Sequence, residues 1–306
     1  MAKADAIIRD ITDLIEARID AWNSNMPKLQ EDAYKVVLEL SAELETSNGQ
    51  IKPSVKNIKT IAKIKAELDK TIFNKEYQDD LDAIIEDYKT ISDLQRNYFS
   101  AVVGKFKVPS VLEQIQQLAQ DAVIEQLGQD AISANYTGPI KDILVKNVTT
   151  GGSRAEFIEQ AREFMLNTDT GDGRLVRYTK QIVTDSLNQF SANYNATLTD
   201  DLGLVWYKYD GSLKDTSRPF CDALIAAKQT CMPYIHKSQL EEIVSGNICG
   251  EQVPIYDKTG LPQGMIAGTN ASNFRINRGG YNCNHQLYPV SAAVVPKDLR
   301  DKFKNA

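Results

Sequence analysis

From Ile7 to Leu44 the apolar residues recur in steps of three and four: Ile7, Ile8, Ile11, Leu14, Ile15, Ile19 and Trp22, then Met26, Leu29, Val36, Val37, Leu40 and Leu44. This spacing puts them on one stripe of an α-helix, with Asp10, Asp13, Glu16 and Arg18 mostly off it. Unbroken over residues 5–46, such a helix would measure about 60 Å at about 1.5 Å per residue, longer than a compact domain needs. Asn23-Ser24-Asn25 ahead of Pro27 marks an interruption, because Asn or Ser caps a new helix and Pro fits its first turn. The stretch therefore reads as two helices or one kinked helix ending near Ser47-Asn48-Gly49.

Three further stripes follow. One starts after Pro53-Ser54 and carries Val55, Ile58, Ile61, Ile64 and Leu68; the next follows Asn74 with Leu81, Ile84, Tyr88, Ile91 and Tyr98 and stops by Gly104. Pro109-Ser110 opens a fourth with Val111, Ile115, Leu118, Val123 and Leu127. Long helices joined by short turns are the pattern of a bundle or of elongated hairpins, and core packing accounts for the stripes. Lys52, Lys56, Lys59, Lys63 and Lys65 make one basic helix, which nearby acidic residues offset.

A bridge leads to the second half. Tyr136-Thr137-Gly138-Pro139 reads as a turn, Ile140 to Val148 as a short helix, and Ser153-Arg154-Ala155-Glu156 has capping-box spacing. Asn167 to Gly173 is a polar loop whose frames lack the ligand positions of a calcium loop. Arg174 opens another helix, reaching Tyr194. The pattern then changes. Leu204 to Tyr209 alternates as a strand does, Pro219 starts a short helix to Ala227, and Ser238 to Ser245 makes a second. A Gly- and Pro-punctuated region follows, then a strand over Asn282 to Val290, and a charged tail from Pro296 to Lys304. The expected fold is mainly α with a small C-terminal α+β module: 1–150 an elongated helical N-terminal bundle or hairpins, 151–295 the module, and 296–306 the tail. Trp206 and Tyr281 read as module core.

The chain holds 306 residues, with 35 Lys and Arg against 41 Asp and Glu, a net charge of −6. That balance speaks against coating DNA, which needs a basic footprint, while leaving local contact open. No continuous apolar run begins the chain, and none reaches the roughly 18 residues that span a bilayer. The expectation is a protein used in a cytosol, or in an assembly formed there, without a membrane partner. Its four cysteines do not make a disulfide scaffold.

Four ordered pieces then carry a family resemblance. They are the helix Arg177 to Ser186 followed by Asn188, the strand with Trp206, the segment Asp215-Thr216-Ser217-Arg218-Pro219-Phe220-Cys221, and the closing Gly279-Gly280-Tyr281-Asn282-Cys283-Asn284-His285. Together, over roughly Ser153 to Val290, they resemble the Mu F-like minor head proteins of tailed bacteriophages, with Asn284 where that family usually has Arg. The resemblance implies a minor virion component at the portal vertex or in the head interior, present in several copies. It also implies the portal protein, the major capsid protein or both as partners, packaged DNA nearby, and no enzymatic activity in the module. Arg177, Trp206, Asp215, Arg218, Gly280 and Asn282 are its structural signature here.

The chemistry-bearing groups are Cys221, Cys283 and His285, neighbours if the two signature segments meet. Thiolates and imidazole are zinc ligands, with Cys231, His236 or Cys249 available as a fourth. Against a structural zinc, no Cys-x-x-Cys pair is present. Buried unligated thiols and a disulfide are the other readings. A nucleophile–base pair of Cys221 or Cys283 with His285, oriented by Asp215 or Asp222, would make the module a Cys/His enzyme or toxin-associated domain. A helical cytosolic adaptor is the remaining alternative. Asp215 and Arg218 are expected to cap and pair locally, and Arg177, Thr184 and Asn188 to brace the module from one helical face.

Overall fold

The opening stripe folds as one helix, α1 (Ala2–Ser41), which passes through Pro27 without ending. A proline inside a helix costs about 3 kcal/mol, yet Trp22, Met26, Leu29 and Ala33 are all buried on the stripe around it, and that burial outweighs the lost hydrogen bond. The computed structural model describes residues 2–166, 172–215, 217–255 and 259–304, so most of the expected Asn167–Gly173 loop lies outside the described residues. The architecture is mainly helical with a few small antiparallel sheets.

After α1, strands β1 (Thr46–Ser47) and β2 (Gln50–Ile51) form a hairpin about Asn48-Gly49, both at positive φ. Then come α2 (Val55–Ile72), α3 (Lys75–Val103) and α4 (Val111–Leu127). Ser54 accepts from Asn57 N to cap α2, and Asn74 Oδ1 accepts from Tyr77 N at the start of α3. The expected turn at Tyr136 to Pro139 is absent. Instead α5 (Gln129–Ile132) runs through a π-turn (Ser133–Thr137) into α6 (Gly138–Thr150), with Pro139 in the first turn, where a missing N–H costs nothing. Helix α7 (Arg154–Leu166) begins with the expected capping box: Ser153 N donates to Glu156 Oε2 at 2.6 Å and Glu156 N to Ser153 Oγ at 3.1 Å. The long α8 (Arg174–Asp201) completes the helical series.

Beyond it lie β3 (Trp206–Asp210), α9 (Pro219–Gln229), β4 (Ile235–His236), α10 (Leu240–Val244), β5 (Asn247–Ile248), β6 (Glu251–Gln252), α11 (Phe274–Asn277), β7 (Gln286–Val290) and α12 (Lys297–Lys302). Two compact units result. One holds Met1–Glu16, Glu86–Gln120 and Thr184–Ala306, the other Ala17–Ile85 and Asp121–Val183, so neither is a continuous stretch of chain.

In the second unit, Trp22 meets Tyr77 edge-on at 5.2 Å, and Tyr77 donates to Leu127 O at 2.7 Å. Buried Asn57 fastens the hairpin: its side chain donates to Glu45 O at 3.0 Å and Lys52 O at 2.8 Å, and accepts from Glu45 N at 2.8 Å. The basic helix α2 is largely neutralised, with Lys63 on Glu43 at 2.7 Å and Lys65 on Asp69 at 2.6 Å. Lys56 and Glu45 are 3.7 Å apart and exposed.

In the first unit, β3 lies between β4 and β7, antiparallel to both, with Trp206 opposite His236 and Val290, and Tyr209 opposite Leu287. Strand alternation sends Tyr207, Tyr209 and Leu287 into a core with Phe220, Leu224, Ile243 and Phe274. Trp206 and Val290 take the other face with Val295. The expected strand over Asn282–Val290 is shorter than read, because Asn282 has φ +57 and breaks the extended run. The expected charged tail is also corrected. Lys297–Lys302 is helical, and Phe303 packs on His236 at 5.0 Å and Trp206 at 5.5 Å between ring centroids.

Replacing Asn57 by Ala should destabilise the protein by about 3 kcal/mol, since three backbone groups lose their partner at a buried position. Lys56→Ala, which removes only an exposed ion pair, should change stability by less than about 0.5 kcal/mol. Urea unfolding of the two variants beside the parent checks both.

Candidate functional site

The two signature segments meet in the first unit. Pro219 takes the first turn of α9 and Arg218 its extended N-cap position. The Arg218 guanidinium does not cap the helix or pair with Asp215, as expected, but crosses to the closing segment. It donates to Gly279 O at 3.0 Å and Tyr281 O at 2.6 Å. This fork brings Cys221, on the first turn of α9, against Cys283 and His285.

Glycines make the approach possible. A Cβ on Gly279 would stand 2.6 Å from Cys221 Sγ, and one on Gly280 would stand 1.8 Å from Gly264 O. Gly280 also has φ +105, a conformation open to glycine and strained for other residues. Asn282 turns the chain at positive φ, its N–H donating to Asp185 Oδ1 at 2.7 Å.

Cys221 Sγ lies 3.9 Å from Cys283 Sγ, well beyond the roughly 2.05 Å of a disulfide. Cys283 Sγ is 3.7 Å from His285 Nδ1, and the three ligand atoms all fall within 4.8 Å of one another. All three side chains are buried. The His285 ring stacks on Tyr209 at 5.3 Å with 4° between planes, and the Tyr209 hydroxyl donates to Cys221 Sγ at 3.6 Å. His285 Nε2 is buried and, among the described residues, has no hydrogen-bond partner. A cavity of about 270 Å³ opens beside the cluster, bordered by both thiols, the imidazole, Lys214, Arg218 and Asn284.

The thiols differ in acidity. The hydrogen bond from Cys221, helped by His285 and Arg278, holds the Cys283 thiol well below its ordinary range. Donating that bond, together with burial, pushes the Cys221 thiol up. Burial likewise raises the Tyr209 hydroxyl well above its usual value. Arg278 is 1% exposed at φ +54 and donates to Cys283 O, while its Nη2 has no hydrogen-bond partner among the described residues. The positive charge of this buried guanidinium favours the thiolate form of Cys283.

Of the residues singled out in the sequence, Cys221, Arg218, Gly280, Asn282, Cys283 and His285 assemble here. Trp206 is buried on the opposite face of the sheet, against His236 at 4.8 Å. Asp215 is exposed, and Thr216 lies outside the described residues. Asn188 braces the site, donating to Thr184 O at 2.9 Å and reaching Asn284 Oδ1 at 3.4 Å, whereas Arg177 is exposed and belongs to the second unit. Tyr281, expected in the core, is 47% exposed. None of the three proposed fourth ligands is available. Cys231 and Cys249 form a disulfide, and His236 sits with Trp206 and Phe303. Asp215 and Asp222 are exposed and cannot orient the buried His285.

Sequence reading missed Tyr209, Asp185, Gly264 and Arg278. Only Arg278 carried a signal, standing immediately before Gly279-Gly280. No protein-family model, curated protein or solved structure matches this chain.

Gly280→Ala should cost more than about 3 kcal/mol, because a methyl group overlaps a backbone carbonyl on top of the strained φ. Gly268→Ala, at similarly positive φ but in open space, should cost about 1 kcal/mol. Thermal unfolding of the pair separates the steric contribution from the conformational one.

Proposed function

We propose that the chain is a structural minor head protein of a tailed bacteriophage, acting by binding at the portal vertex or in the head interior. The observation that carries this reading is the meeting of the Asp215–Cys221 and Gly279–His285 segments through Arg218. Arg218, Gly280 and Asn282 of the family signature thus share one constructed site with Cys221, Cys283 and His285, while Arg177, Trp206 and Asp215 lie away from it. A signature maintained for folding a docking module needs this kind of closure; it does not need a reaction.

The rest of the molecule offers binding surface. Val55 and Ile58 on α2 are 71% and 62% exposed, and Leu118 on α4 is 68% exposed. Apolar side chains held out on helices are suited to partner helices, here the portal protein, the major capsid protein or both. With a net charge of −6 the protein touches packaged DNA only locally. No described helix is long and apolar enough to cross a membrane.

The competing reading, a Cys/His enzyme, draws on the 3.7 Å Cys283–His285 approach beside a cavity. Among the described residues no acid hydrogen-bonds the imidazole, and Asp215 and Asp222 are exposed.

Quantitative mass spectrometry of purified, nuclease-treated particles should find the chain beside the portal protein, far below the major capsid protein in amount. Its absence from particles that contain both would overturn the virion assignment.

A further inference from the structure

We propose that Cys221, Cys283 and His285 bind one zinc ion, with the fourth coordination position facing the adjoining cavity and filled by an anionic ligand. The inference stands on the geometry of the cluster and does not depend on a virion role.

The first ground is size. Zinc bonds of about 2.3 Å to sulfur and about 2.0–2.1 Å to nitrogen in a tetrahedron imply edges of about 3.8 Å between two sulfurs and about 3.6 Å between sulfur and nitrogen. The observed separations are 3.9 Å for Cys221–Cys283 and 3.7 Å for Cys283–His285 Nδ1. The third edge is no longer than 4.8 Å and closes by a small rotation of the side chains.

The second ground is the state of the imidazole. His285 is 3% exposed, the hydrogen bond that Nδ1 makes is the long one to Cys283 Sγ at 3.7 Å, and its Nε2 has no described partner. Burying a ring nitrogen without a partner costs about 1–3 kcal/mol, and exchanging the weak Nδ1–sulfur contact for a metal bond offsets that cost. Stacking on Tyr209 fixes the ring with Nδ1 toward the sulfurs. Gly211 keeps the other side clear, since a Cβ there would lie 2.8 Å from His285 Cδ2.

The third ground is charge. Two thiolates and a zinc dication cancel, while Arg278 remains as a buried cation beside Cys283. A hydroxide or an oxyanion oxygen at the fourth position restores neutrality. It would enter through the cavity, where Arg218 adds positive charge and Lys214 is paired with Glu16 at 3.3 Å. Ligation takes both cysteines as thiolates, and the protons of their thiols leave to solvent. The result is three protein ligands and one exchangeable position, unlike a closed four-ligand structural site.

The test uses the full chain, purified under reducing conditions without chelator and analysed by inductively coupled plasma mass spectrometry. About one equivalent of zinc per chain is expected, with X-ray absorption fitting two sulfurs at about 2.3 Å and two lighter atoms at about 2.0–2.1 Å. Cys283→Ser and His285→Gln should lose the metal, whereas the Cys231→Ser/Cys249→Ser double variant should keep it. Because the first two variants can unfold, unmodified protein is also loaded with cobalt(II). Thiolate charge-transfer and tetrahedral d–d bands are expected, shifting when azide is added. Folded, reduced protein that holds no zinc and takes up no cobalt overturns the proposal. So does metal lost only with Cys231 and Cys249, and a cobalt spectrum indifferent to azide overturns the open position.

Discussion

The contact on which the carboxy-terminal module depends is the Arg218 guanidinium donating to the carbonyls of Gly279 and Tyr281. A planar fork with fixed donors holds two carbonyls in one orientation, which a lysine cannot do. Everything nearby is shaped to admit it. A Cβ at Gly264 would stand 2.0 Å from Arg218 Nε, and Gly264 O in turn occupies the space that a Gly280 side chain would need. Arginine, Gly264 and Gly280 are thus stacked without room between them. The backbone past Gly280 can then turn through Asn282 and present Cys283 and His285 to α9.

The strands behind this contact are held by a different device. Gln95 donates to Ser191 Oγ at 3.0 Å, Asn195 to Gln95 Oε1 at 3.3 Å, and Ser191 to Gln286 Oε1 at 3.1 Å. These buried side chains connect α3, α8 and the first residue of β7. A satisfied polar network specifies register more than it adds stability, because a one-residue slip would strand amides without partners. Tyr98 fixes the other end of β7 by donating to Pro289 O at 2.7 Å. With β7 held at both ends, His285, immediately before it, has one position.

The helices were legible because their signals are local. Three-four periodicity, Ser54 and Asn74 as caps, the Ser153–Glu156 box and Pro219 each act within a turn or two of chain. The convergence of Cys221, Cys283 and His285 was legible from the order of the signature. What could not be read depends on long-range packing. Pro27 and Pro139 look like breaks, and burial of their neighbours overrides the first while position in the turn neutralises the second. Tyr281 looks like core, yet its backbone carbonyl, not its ring, is what Arg218 uses. Phe303 sits among charges in the sequence and becomes a half-buried contact only because His236 and Trp206 lie opposite each other across two strands. The pairing of Cys231 with Cys249 removes two ligands that composition alone had left available.

The two cysteine pairs also answer to different chemistry. Cys231 and Cys249 are exposed, so a reducing environment reaches their disulfide by thiol exchange. Their bridge ties a segment of separation 18 and lies outside the core of Phe220, Leu224, Ile243, Phe274 and Leu287. Cys221 and Cys283 are inside that core but border the cavity, and Arg278 favours a thiolate at Cys283. The exposed pair thus answers to thiols in the surroundings, and the buried pair to what the cavity admits.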